Sequence, residues 1–122
     1  MQCIFCSLDS SKVLLDNDLF VVIEDKFPVT RGHLLVISKR HFADFFAIEQ
    51  TEMAALREII IRAKDWLDER YQPSAYNLGM NCGRHAGQSI DHFHLHIIPR
   101  YSGDQMRGQM KRGLREYISD LL

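Results

Sequence analysis

The chain has 122 residues, 46% of them hydrophobic, with fifteen basic and sixteen acidic side chains and a formal charge of −1. That length suits one domain over residues 1–122 with its own core, and the balanced charge gives no global field for a polyanion, so nucleic acid is not an expected partner. No segment reaches the roughly 18 apolar residues of a membrane span, no basic stretch precedes a long apolar run, and three cysteines do not make a secreted disulfide framework, so a soluble, cytoplasmic protein is expected. In chain order, "CIFC" opens the sequence with Cys3 and Cys6 at C-x2-C spacing. Residues 16–25, "DNDLFVVIED", predict a turn and then a strand, and "GHLLVIS", 32–38, a second strand. Pro28 and Gly32 mark the hairpin-like loop between them. From Thr51 to Arg70, Met53, Leu56, Ile60, Ala63 and Leu67 recur at alternating spacings of three and four, the stripe of an amphipathic helix. Thr51 is the expected N-cap, and Gln72-Pro73 ends the helix. Two further strands, 74–83 and 91–99, are joined by the glycine-bearing "GRHAGQSI", and "RGLREYISDLL", 112–122, predicts a short helix. Strands, one long helix and strands again predict an α+β fold with a mostly antiparallel sheet, one long central helix and short flanking helices.

The run "DHFHLHIIP" carries the chemistry. On a strand, His92, His94 and His96 share one face while Phe93, Leu95 and Ile97 take the other. A 3.6-residue turn would scatter both sets, so the helical alternative fails. Three imidazoles within about 14 Å of strand, at ~3.4 Å per residue, suit a metal cage or a catalytic cluster. Imidazole is a competent nucleophile toward phosphorus, and an ordinary pKa near 6.5 leaves it mostly neutral at physiological pH. The C-x2-C pair separately offers half of a tetrahedral zinc site. Cys82 reads most simply as a small buried residue.

"HFHLHII" resembles the His-φ-His-φ-His-φ-φ signature of the histidine triad (HIT) family of nucleotide hydrolases and transferases. "RGHLLVISKRHF" is similar to the family's Gly-His-strand-Pro-Lys-x-His segment, and "NCGRHAGQS" to its Asn-x-Gly-x-x-x-Gly-Gln-Ser loop. The likeness spans nearly the whole chain and implies a HIT-like fold. Ser38 departs from it, at what reads as a loop position where the family often has proline.

The resemblance implies site roles. His94 matches the nucleophile that attacks an α-phosphate to form a nucleotidyl-histidine, which water then hydrolyses. His96 and His33 match the histidines flanking the phosphate, and Ser89 a donor to the phosphate or leaving group. Gln88 is expected to face the phosphate and Asn81, on the preceding strand, to contact the substrate. Asp25 matches the ribose-holding carboxylate, and Phe5, Ile23 and Leu35 the apolar walls around the base. Cys3, Cys6, His41 and His92 match a structural zinc site found in some members; no organic cofactor is implied. "HIIPRYSGD" is most similar to the dinucleoside polyphosphate-hydrolysing branch, and Arg100, Arg107, Lys111, Arg112 and Arg115 form a local basic set for such a substrate. Alternatives are an adenosine phosphoramidase, a nucleotide-binding regulatory module with slow turnover, and a zinc-dependent hydrolase using the triad as ligands. Family members are commonly homodimers through the long helix and a sheet edge.

Overall fold

Two alternating sets of apolar side chains give the sheet its two faces in the computed structural model, which describes residues 3–104. Phe20, Val22, Leu34, Val36, Phe93, Leu95 and Ile97 belong to one core cluster, Ile23, Leu35 and Ile37 to a second, as the two-residue period of a strand requires. The strands are β1 (Leu15–Asp16), β2 (Phe20–Glu24), β3 (Leu34–Ser38), β4 (Ala75–Gly79) and β5 (His94–Arg100). They form one antiparallel sheet in the order β1-β2-β3-β5-β4. The expected α+β architecture is therefore present, with β5 in the interior of the sheet and β4 at an edge.

Helix α1 (Gln50–Tyr71) covers the first face, burying Glu52, Leu56, Ile59, Ala63 and Leu67. Each fully buried aliphatic side chain in this layer contributes about 1.5–3 kcal/mol. Two details of the expected stripe are corrected. Ile59 rather than Ile60 is fully buried, and Met53 is exposed, because each is displaced by one residue, about 100° of turn, from the face that meets the sheet. The N-cap is Glu49, not Thr51. Its backbone N–H donates to Glu52 Oε1 at 2.8 Å, and Arg40 grips the same carboxylate at 2.8 and 3.0 Å, so a buried, clamped Glu52 sets where the helix starts. Gln72 ends the helix in the left-handed conformation, as a C-cap.

Between β2 and β3, Gly32 adopts φ +89°, and a Cβ there would lie 2.9 Å from the Tyr71 ring and 3.0 Å from Leu67. Only glycine lets the hairpin loop come this close to the last turns of α1, which seats His33 immediately before β3. Among the described residues the other helical pieces are short 3-10 turns at Ser10–Lys12, Phe45–Ala47 and Arg84–Ala86. The helix expected over 112–122 lies outside the described residues.

Candidate active site and metal-ligand cluster

His94 and His96 stand on the face of the sheet opposite α1, with backbones paired to Ile37 and Leu35 of β3. Both rings are buried and lie 5.4 Å apart. His92 stands on the same side, 5.9 Å from the Phe5 ring that His94 approaches at 5.2 Å, but it precedes β5. The strand was expected from residue 91. It starts at His94 because the Phe93 N–H is taken by Phe42 C=O, at 2.7 Å, outside the ladder.

Hydrogen bonds fix the tautomers. His94 Nδ1 lies 2.9 Å from the His92 carbonyl, which can only accept, so Nδ1 carries the hydrogen and Nε2 keeps a free lone pair. Val29 N–H donates to His33 Nδ1 at 3.0 Å, which puts the hydrogen of neutral His33 on Nε2. That Nε2–H faces His96 Nδ1 at 2.9 Å, with Asp25 Oδ2 at 3.4 Å from the same nitrogen. His96 thus accepts at Nδ1 and holds its own hydrogen on Nε2. One ring is left a base and its neighbour a donor.

Burial reinforces neutrality. It pushes His94 below its ordinary value against the His92 carbonyl bond that raises it, and pushes His33 down against the opposing Asp25 charge. His96 is lowered to about 3 by burial first and then by neighbouring His33 and His94. His92 is also lowered by burial. A folded state that excludes protons which the unfolded chain binds loses stability as pH falls through the unfolded value of 6.5. The carboxylates held low by their partners, such as Glu52 beside Arg40, begin to contribute only below 4.5. The urea midpoint, with chelator present throughout, is therefore expected to fall between pH 6.5 and 4.5. A flat profile in that window would show that these histidines are not buried in neutral form.

A cleft of about 1260 Å³ opens over these rings. His94, His96, Ser89, Asp25, Asn81, Phe5, Ile23 and Leu35 all line it. His33 lies beneath, reaching the cleft through His96. Gln88 is not among the lining residues. Its Nε2 donates to Ala43 C=O at 2.6 Å and Ile90 C=O at 2.9 Å, and its Oε1 accepts from Gly83 N–H at 2.8 Å. The amide is spent on shaping the loop that presents Ser89. Asn81 sits two residues beyond the end of β4 rather than on the expected strand, where its Nδ2 donates to Gly87 C=O at 3.2 Å. The sequence reading did not single out Ile4 and Phe27, exposed apolar side chains on the cleft wall, or Lys12 and Lys26 beside them. An exposed Phe between Lys and Pro carries no periodic signal.

Cys3, Cys6, His41 and His92 converge elsewhere, their ligand atoms all within 4.8 Å of one another. Cys6 Sγ is 3.1 Å from His41 Nδ1, His92 Nδ1 is 3.4 and 3.5 Å from the two sulfurs, and the two Nδ1 atoms are 3.0 Å apart. Tetrahedral zinc, with bonds near 2.0–2.1 Å to nitrogen and 2.3 Å to sulfur, has edges of roughly 3.3 Å between nitrogens and about 3.5 Å between nitrogen and sulfur. The His92 Nε2–H donates to the Ser38 carbonyl at 2.7 Å, which frees Nδ1 as a ligand lone pair. The donor set fits a metal. Asp25, His33 and His96 also cluster, but the hydrogen on His33 Nε2, enforced by Val29 N–H, points where a cation would sit. The tautomers separate the two groups.

Comparison with known proteins identifies the family. The HIT domain family matches residues 8–103. A HIT-like protein of Mycoplasma genitalium is 35% identical over 124 residues, covering 94% of this chain and 88% of its own length. The adenosine 5′-monophosphoramidase of Schizosaccharomyces pombe is 32% identical over 104 residues, covering 82% of this chain and 75% of its own. The crystal structure of a zinc-bound histidine triad family protein from Mycobacterium smegmatis superposes with a TM-score of 0.77 at 30% identity, over 98% of this chain and 95% of that one. With these matches spanning the sheet, the long helix and the histidine run, the chain belongs to the HIT domain family of nucleotide hydrolases and transferases.

Proposed function

We propose that this protein hydrolyses dinucleoside polyphosphates through a nucleotidyl-histidine formed on His94. The observation that carries this reading is the 2.9 Å bond from His94 Nδ1–H to the His92 carbonyl, which leaves an unprotonated Nε2 beside the cleft. That lone pair attacks the α-phosphorus and a P–N bond forms as the P–O bond to the leaving group breaks. The leaving oxygen takes a proton from the donor side of the site, the Ser89 hydroxyl or His96 Nε2–H. Water then attacks phosphorus, the P–N bond breaks, and its proton returns to the donor group while His94 regains its lone pair. Donors aimed at the developing charge are where catalytic binding energy is most effective.

The cleft volume supports an extended substrate, since pockets for drug-sized ligands span about 300–1,000 Å³, and Lys12 and Lys26 on its wall suit an anionic chain. Arg100 adds less than its sequence position implied. It is committed to Asn77 Oδ1 at 2.7 Å and Asp104 at 3.0 Å. Arg107, Lys111, Arg112 and Arg115 lie outside the described residues. A second reading, adenosine phosphoramidase, is favoured by the fission-yeast relative. Initial rates on dinucleoside polyphosphates and adenosine phosphoramidates, measured side by side, decide between them. Slow turnover of both with tight binding would favour a regulatory module instead.

Ser89→Ala should lower the rate by about 10²-fold, the usual loss for one transition-state donor. An unchanged rate removes Ser89 from the site. We further assign Cys3, Cys6, His41 and His92 to a structural zinc, because four protein ligands close the coordination sphere and leave no position for water. Thiol ligands suit a reducing cytoplasm, and no helix among the described residues is long and apolar enough to cross a membrane. Exposed Leu78 on the edge strand β4, with Met53 and Ile61 exposed on α1, supports a homodimer through those elements. We treat residues 1–122 as one domain.

A further inference from the structure

We propose that Ser38 is a positioning residue for both histidines of the Cys3, Cys6, His41 and His92 group, a proposal that rests on that group's binding a metal. Ser38 is the last residue of β3 and is buried, not in a loop as its sequence context implied. Its two oxygens do different work. The backbone carbonyl accepts His92 Nε2–H at 2.7 Å, and the side-chain Oγ lies 3.2 Å from the same nitrogen. The hydroxyl hydrogen is used elsewhere, since Oγ–H donates to Arg40 C=O at 2.7 Å. Oγ therefore faces His92 with lone pairs. With two acceptors against Nε2, the ring holds its hydrogen there, and Nδ1 is left bare toward the sulfurs and His41.

The hydroxyl acts on the second histidine through the chain. Arg40 C=O is the carbonyl immediately before His41, so the Oγ–H bond closes the turn that presents the His41 ring. The surrounding contacts keep this turn in place. Arg40 is clamped to Glu52 at the start of α1, and Phe42 C=O accepts Phe93 N–H at 2.7 Å, next to His92. One side chain thus spans the gap between a ligand ring from the entrance to β5 and the backbone that delivers a ligand from the exit of β3. Removing it leaves the carbonyl bond to His92 but frees the turn before His41. It also leaves part of the Nε2–H bond unmade. Hydrogen-bonding partners behind ligating histidines are typically worth 10–100-fold in metal affinity.

The test is cobalt(II) titration of the metal-stripped full chain, in competition with a chelating dye. Wild type, Ser38→Ala and Ser38→Thr are compared, and metal-free melting is recorded for each. Ser38→Ala should bind cobalt about tenfold more weakly or worse, with altered ligand-field bands. Ser38→Thr, which keeps the hydroxyl, should stay near wild type. Equal affinity and equal spectra in wild type and Ser38→Ala would overturn the proposal alone, even if the metal-free alanine variant melts earlier, because that is what a purely structural serine would do. A wild type that takes up no cobalt overturns the metal reading and this proposal together. If Ser38→Ala does not fold, two-bond ¹H–¹⁵N spectra of wild type decide. Hydrogen on His92 Nε2 supports the assignment, and hydrogen on Nδ1 overturns it.

Discussion

Replacing His94 with alanine is expected to lower turnover by several orders of magnitude while the protein remains folded. The size follows from the geometry. Of the rings near the cleft, His94 alone combines a cleft-lining position with a lone pair freed by a backbone carbonyl. His96 carries its hydrogen on Nε2 and cannot attack without first losing it, and His33 is beneath His96 with both nitrogens engaged. No substitute stands in the right protonation state. Loss of a covalent nucleophile elsewhere costs on the order of 10⁶-fold, with residual rate coming from the remaining donors. The fold should survive, because His94 contributes one side-chain hydrogen bond and ring contacts to Phe5 and His96 rather than a place in the core cluster beneath α1. Mass spectrometry of wild-type enzyme quenched during turnover should place a nucleotidyl group on His94. An adduct on His96, or a His94→Ala variant of normal rate, would defeat the assignment.

What the sequence made legible was whatever obeys a period or a fixed spacing. The alternation of His94 and His96 with Leu95 and Ile97 survives folding intact, because the sheet has two faces and the rings must all leave by one of them. The C-x2-C pair likewise meets His41 and His92 as the resemblance implied. Readings failed where tertiary contacts overrule a local rule. Thr51 is a good capping residue, but Arg40, eleven residues earlier, holds Glu52 and moves the start of the helix. Gln88 belongs to a glycine-rich loop that reads as ligand-facing, yet a buried amide must satisfy its donors, and Ala43 C=O is the acceptor the fold brings to it. β1 has only two residues, too few to show a period. Val29 was invisible for a deeper reason. Its contribution is a backbone N–H, which every residue except proline carries, and only the hairpin's path aims it at His33. The same blindness covered Ser38, whose carbonyl and hydroxyl become informative only once His92 is placed above them.

The second large effect is expected from Cys6→Ser. If Cys3, Cys6, His41 and His92 hold zinc, wild-type protein should carry about one equivalent per chain, and the variant should lose it and melt at a lower temperature. The reason is linkage: a metal held only by the folded arrangement adds its binding free energy to folding, and ligands 86 residues apart in sequence, such as Cys6 and His92, meet only in the folded chain. Without the metal, His41 Nδ1 and His92 Nδ1 face each other at 3.0 Å, where one must hold a hydrogen and the other accept it. The N-terminal segment bearing Cys3, Phe5 and Cys6 then loses its tie to the entrance of β5. Activity should fall less than stability. The His94 tautomer depends on the His92 backbone carbonyl, not on the His92 ring, so the nucleophile keeps its lone pair while its support loosens. Some loss is expected even so, since Phe5 lines the cleft and touches the His94 ring. Metal content by elemental analysis, melting temperature and initial rate, measured on the same preparations, separate the possibilities. A metal-free wild type of full activity would make the cysteines spectators. A variant that stays folded, loses its zinc and stops turning over would make the metal part of the chemistry, and the attacking group would then have to be sought at the Cys3–His92 cluster instead of at His94.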